Sequence, residues 1–196
     1  MPSPSPLDAE SFEDQVFRNI TCPGQDLSHK EFSNCTFEKC DLSNCRLNDA
    51  TFIDCKFINC NFSNIKVEHC GFQDVDFDGC KLLGIQFAKI NTFLIKWRFT
   101  KCHIELCDFS RLGLKENRFI ECTIQETEFV STNLSHADFS QSDLRGSRFQ
   151  NTNLEKANFA SARNYAIDPA TNIIKHARFS YPDVLGLLAG FEIEIV

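Results

Sequence analysis

Cysteine is the residue type in this chain best placed to do chemistry. There are 11 Cys, and Cys35, Cys40, Cys45, Cys55, Cys60, Cys70, Cys80, Cys102, Cys107 and Cys122 recur at multiples of five within two runs. Thiols at such spacing could bind zinc or form disulfides. Stacked side chains that point the same way do not converge as tetrahedral ligands must, and there is no Cys-x-x-Cys pair. The expectation is therefore packing, with Cys as a small apolar filler interchangeable with Ala. His29, His69, His103, His136 and His176 are scattered, without a Ser/Asp or Cys/Asp partnership that would mark a nucleophile. No Gly-rich phosphate loop is present. The sequence predicts no catalytic residue, no metal site and no cofactor, hence no enzyme.

The elements that carry these cysteines repeat every five residues. Leu7, Phe12, Phe17, Cys22, Leu27, Phe32, Phe37, Leu42, Leu47, Phe52, Phe57, Phe62, Val67, Phe72, Phe77, Leu82 and Phe87 form one apolar series. Phe99, Ile104, Phe109, Leu114, Phe119, Ile124, Phe129, Leu134, Phe139, Leu144, Phe149, Leu154 and Phe159 form a second. Two residues before each central residue sits a smaller one, which is the slot of the cysteines listed above. In the second series Thr127, Thr132, Ala137, Ser142, Ser147, Thr152 and Ala157 also occupy it. The other three slots are mostly polar. A period of five fits neither helix nor strand, and an internal repeat overrides both readings. The chain has 20 Phe but only 2 Tyr, 1 Trp and 1 Met, as expected if one slot selects for Phe.

This pattern resembles the pentapeptide-repeat family, on the strength of Ala137-Asp-Phe-Ser-Gln141, Ala157-Asn-Phe-Ala-Ser161, Cys40-Asp-Leu-Ser-Asn44 and Cys60-Asn-Phe-Ser-Asn64. The resemblance implies an all-β fold, a right-handed quadrilateral β-helix with four pentapeptides per coil. Central residues 20 apart then stack as columns: Phe32, Phe52 and Phe72; Phe37, Phe57 and Phe77; Phe119, Phe139 and Phe159. The expected organisation is a disordered N-terminus over 1–6, the β-helix over 7–163 and a C-terminal cap and dimerisation segment over 164–196. The step from Phe87 to Phe99 breaks the register at 88–98. A bulge that bends the coil is favoured there over a protruding contact loop, because two extra residues make a small protrusion.

The tail reads as a short helix-plus-strand cap. Ser180 with Pro182 and Asp183 is a helix start, and Gly190 its end. Phe191, Ile193 and Ile195 alternate with Glu192 and Glu194 as a strand would. Phe179, Tyr181, Leu185, Leu188, Phe191, Ile193 and Ile195 are candidates for a homodimer interface, with a monomeric cap as the alternative. The tail, from Tyr165 and Ile167 through Asn172 and Ser180 to Leu188, resembles the ending of gyrase-protecting family members. The albicidin-resistance and microcin B17-immunity types are the nearer, the Qnr type the more distant. This implies a DNA-mimic interaction protein that binds DNA gyrase; a generic scaffold for another protein is the alternative.

Charge bears on that implication. The net charge is −7, which argues against direct binding of nucleic acid. Glu68, Asp74, Asp76 and Asp78 form one base-poor stretch, and Glu121, Glu126, Glu128 and Asp138 another. These are the candidate gyrase-facing acids; an ordinary solvated face is the alternative. Met1-Pro-Ser-Pro-Ser-Pro6 has neither the basic nor the apolar region of an export signal. No apolar run is long enough to span a membrane. With an odd number of cysteines, the expected setting is a reducing cytoplasm.

Overall fold

Because a five-residue unit cannot close its own backbone hydrogen bonds, each unit must borrow partners from the coil before and the coil after. The computed structural model describes residues 7–191, 193 and 194, and there the chain winds as a parallel β-solenoid of about eight turns. The expected disordered 1–6 lies outside the described residues. Strands are mostly three residues long and pair in parallel with partners 20 positions away, as in Glu31–Ser33 on Thr51–Ile53 and Thr36–Glu38 on Lys56–Ile58. Units of five with partners 20 apart give four sides.

Side one carries Phe12, Phe32, Phe52 and Phe72, whose rings stack at 4.9, 4.8 and 5.2 Å. Side two is an unbroken ladder of Phe17, Phe37, Phe57, Phe77, Phe99, Phe119, Phe139, Phe159 and Phe179. Its ring spacings lie between 4.8 and 5.3 Å. Side three holds Leu82, Ile104 and Ile124 in register, and side four stacks Phe87, Phe109, Phe129 and Phe149. Neighbouring columns meet edge to face, as Phe52 does with Phe57 at 67°, the arrangement aromatic quadrupoles favour. Each buried ring stabilises the stack by roughly 1.5–3 kcal/mol.

The corners between sides need a left-handed residue two places after each central one. Asn34, Asn44, Asp54, Asn59 and Asn64 take it at φ between 51° and 58°. The slot before each central residue is not merely filler. Cys60 donates its thiol to the Phe37 carbonyl at 3.3 Å, 23 positions back, and accepts from the Cys40 N–H. Thr132, Ser142, Ser147 and Thr152 donate to the equivalent carbonyls of Phe109, Phe119, Ile124 and Phe129 at 2.5–3.0 Å. Ala50, Ala137, Ala157 and Ala162 fill the same slot and are as buried, so Cys and Ala do share it; where it holds Cys, Ser or Thr, the side chain adds a hydrogen bond to a buried carbonyl.

Pairing also runs past the expected boundary at residue 163. Ile167 pairs with Phe149, and Phe179 pairs with Phe159 and stacks on it at 5.3 Å. Tyr165 tilts across Phe159 and Phe179 as part of the end plate. Beyond this, Asp183–Phe191 forms a 3-10 helix. Among the described residues the expected strand is not seen: Phe191 ends the helix and Ile193 and Glu194 lie in no regular element, while Glu192 and Ile195 lie outside the described residues. The helix passes through Gly190 because that glycine does not take the left-handed conformation that would stop it.

Candidate partner-binding surface

Most of the interior thiols are shielded. The slot thiols are buried, and burial pushes Cys55 and Cys107 up to about 12, so they stay protonated and poorly reactive. Among the described residues no group of three or more His, Cys, Asp or Glu is placed to hold a metal ion. Function must therefore be sought on the outside, where outward residues on each side form ladders as regular as the core beneath them.

The candidate acids do not share one face. Glu68 and Glu128 flank central residues of side four, Asp76, Asp78 and Asp138 flank those of side two, and Asp74, Glu121 and Glu126 stand at three different corners. Most are matched by bases. Asp74 takes Lys96 at 2.5 Å and Arg98 at 2.9 Å, and Arg98 also pairs with Asp76. Glu68 meets Lys89 at 3.4 Å, Glu121 meets Lys101 at 3.9 Å and Glu128 meets Arg148 at 2.7 Å. The Lys96 hydrogen bond, against some desolvation and with Arg98 behind it, holds the Asp74 carboxyl below the usual carboxylate range. A stretch that lacks bases along the chain gains them from the next coil.

At Asp74 and Asp76 that neutralisation comes from residues brought over by the register break. Phe77 stacks on Phe99, 22 positions on instead of 20, at 4.8 Å and 8°, so the side-two column continues through the break. The two extra residues are expelled on side one: Phe93 and Leu94 are 62% and 64% exposed, with Leu94 at φ 54°. This joins the two expected readings, since the register is absorbed as in a bulge while an apolar tip protrudes. Side one loses its central residue in this coil, and Trp97 fills the space. Trp97 stands in a small slot yet is 1% exposed, and packs against Phe72, Phe87, Phe99 and Phe109. Its Nε1–H donates to the Phe72 carbonyl at 2.9 Å, the same service that Cys and Thr give elsewhere. Buried Asn117 accepts from the Trp97 backbone N–H. Beside the tip lies an open groove of about 600 Å³ lined by Ile53, Asp54, Asp74, Leu94, Lys96 and Lys115 among others.

The C-terminal end presents a second apolar area. Tyr181, Leu185, Leu188, Phe191 and Ile193 are exposed by 84, 38, 36, 54 and 56%. Phe179, the last rung, is half-buried with its ring stacked on Phe159. Ile173, 57% exposed, was not foreseen as part of it. Among the described residues no helix is long and apolar enough to cross a membrane.

The pentapeptide repeat region family matches residues 30–96 and 90–159. No curated protein sequence matches the chain. Two solved structures share the fold. HetL, a pentapeptide repeat protein involved in heterocyst differentiation regulation from the cyanobacterium Nostoc, is 17% identical with a TM-score of 0.57, over 85% of this chain and 84% of that one. QnrB1 in a trypsin-treated form, a plasmid-mediated fluoroquinolone resistance protein, is 21% identical with a TM-score of 0.50, over 95% and 92%. The two have different roles, so the shared fold does not by itself assign one here.

Proposed function

Because this chain belongs to the pentapeptide repeat family, we propose that it acts as a non-catalytic rod that binds a protein, and that the protein is bacterial DNA gyrase. The observation that carries the reading is the side-two ladder, whose stacked rings run from Phe17 to Phe179 without interruption. It makes one side of the rod a regular surface over its whole length, suited to a groove that otherwise holds a duplex. The tail resemblance to gyrase-protecting proteins and the fold shared with QnrB1 support the choice of partner. Mimicry here is of shape more than of charge, since Asp74, Asp76, Glu121 and Glu128 are countered by bases. The exposed apolar end around Tyr181 and Leu188 supports a tail-to-tail homodimer, which would double the rod. Free thiols throughout suit a reducing cytoplasm.

The test is a gyrase supercoiling assay with purified chain, with and without a gyrase poison such as albicidin or a quinolone. Inhibition, or rescue from the poison, is expected at micromolar concentration. No effect in either arm removes gyrase as the partner. The ion pairing favours a second reading, a scaffold for another protein that docks beside the Phe93–Leu94 tip. Changing Phe93 and Leu94 together to Ser separates the two: a partner docked beside the tip is lost, while a gyrase-binding rod keeps its effect and the coil stays folded.

A further inference from the structure

Cys22 breaks the rule that the other cysteines follow. It occupies a large central slot in the first coil of side three, where the coils above carry Leu42 and Phe62. It is also the one thiol that the described residues leave partly exposed. Its Sγ lies 3.6 Å from the Asp41 carbonyl. Cys45, in the next coil, donates its thiol to the Cys22 carbonyl at 3.0 Å, so its sulfur lies against the Cys22 residue. Cys45 itself is buried. The neighbouring Cys45 thiol, with burial adding, pushes the Cys22 thiol up. The Cys22 thiol, opposed by burial and aided by the N–H groups of Gln25 and Gly24, draws Cys45 below the usual thiol value. Cys22 is the accessible member of the pair.

The buried column of Cys40, Cys60, Cys80, Cys102 and Cys122 differs in having no exposed member and none in a central slot. Its members share one slot in successive coils, lie at 2% exposure or less, and each donates to carbonyls. Parallel neighbours of one column present their sulfurs side by side. Cys22 and Cys45 come from different slots on adjoining sides, so they approach from two directions.

We propose that Cys22 and Cys45 are an oxidation site, which a hydroperoxide converts into a disulfide stapling the first coil to the second. Two S–H bonds break and one S–S bond forms. The two electrons and two protons pass to the peroxide, whose O–O bond breaks to give water and an alcohol, or two waters from hydrogen peroxide. The bond would close a loop of 23 positions at the open end of the stack, where fraying starts.

The experiment treats the reduced full chain with hydrogen peroxide, alkylates remaining thiols in denaturant, and digests with trypsin without reduction. One linked pair is expected, Asn19–Lys30 joined to Cys40–Arg46, lighter by two hydrogens. The Cys40→Ser variant should keep the link, which assigns it to Cys45. Cys22→Ser, a change at a half-exposed position, should abolish it and leave the other thiols alkylated. In the oxidised chain, exchange of the Cys22 and Gly24 amides should slow by about tenfold, as loop closure restricts opening of the first coil. The proposal is overturned if Cys22 goes to a sulfur acid or an intermolecular dimer while Cys45 stays alkylated, or if the link is lost in Cys40→Ser. Unchanged exchange in a linked chain would remove the staple.

Discussion

The coils before and after the break at residues 90–97 meet the same two geometric demands with different side chains. At the left-handed corners the first half places Asp14, Asn19, Gly24, His29, Asn34, Asn44, Asp49, Asp54, Asn59, Asn64, His69, Gly79 and Gly84, with Lys39 as an exception. The second half places Lys101, Leu106, Arg111, Glu116, Glu121 and Glu126 in succession in the same conformation, and then mixes Gln141 and Lys156 with Ser131, His136, Gly146, Asn151, Ser161, Asn164 and His176. Short polar residues and Gly adopt it cheaply; long ones cost of order 1 kcal/mol or more each. In the slots the order reverses. The first half relies on thiols, most of them 3.3–3.6 Å from their carbonyls, as Cys55 and Cys35 show, while the later coils of the second gain hydroxyl donors at 2.5–3.0 Å, which bond more strongly. The long corner side chains from Lys101 to Glu126 stand in the coils whose slots still hold Cys102, Cys107 and Cys122, and the hydroxyl slots follow in the later coils.

The comparison can be broken most severely in what the halves share. Phe57→Asp places an unpaired charge inside the side-two ladder and should abolish cooperative folding; so should Phe119→Asp in the second half. Retained β-type circular dichroism and an unchanged melting profile would contradict the ladder. Trp97→Ala should cost about 3–5 kcal/mol by the cavity it leaves, and Trp97→Phe less, through the lost donor to the Phe72 carbonyl. Urea titrations of both variants give the order; an equal loss would mean that the indole N–H contributes nothing.

Slot chemistry comes next. Thr152→Val leaves the Phe129 carbonyl without its hydroxyl and should cost about 1–3 kcal/mol, whereas Cys60→Ser should be tolerated because a donor remains. If Cys60→Ala and Cys60→Ser prove equal, the slot selects by size alone. The smallest effect lies at the corners. Glu121→Asn should stabilise by about 1 kcal/mol, and Asn59→Glu should destabilise by a similar amount. If the outward carboxylate serves partner binding, Glu121→Asn will also weaken binding while it raises the melting temperature.

Much of this was legible in the sequence because the core is one-dimensional: with partners fixed at 20 positions, a period of five names every inward residue. Phe32, Phe52 and Phe72 stack as their spacing predicts. Legibility failed where a residue left its slot. Trp97 reads as part of an apolar loop, yet it is the plug for a missing rung, and only the path of the expelled Phe93–Leu94 tip reveals that. Asp74 and Asp76 read as unopposed because Lys96 and Arg98 lie 22 positions on and beyond the break. The Phe179 rung is not legible because the repeat loses its period near Ala162, although pairing resumes. The left-handed corners carry a strong signal in the first half, where Asn, Asp and Gly cluster, and a weaker one in the second, where Gly146, Asn151 and Asn164 stand among long side chains.

The measurement that tests the central claim most directly is binding of the purified chain to immobilised gyrase, in competition with duplex DNA. The account predicts saturable binding that duplex DNA displaces and that the Asp74, Asp76 and Asp78 to Lys variant loses while remaining folded. Absence of binding, or binding that DNA in excess leaves unchanged, would contradict a rod that occupies the duplex groove.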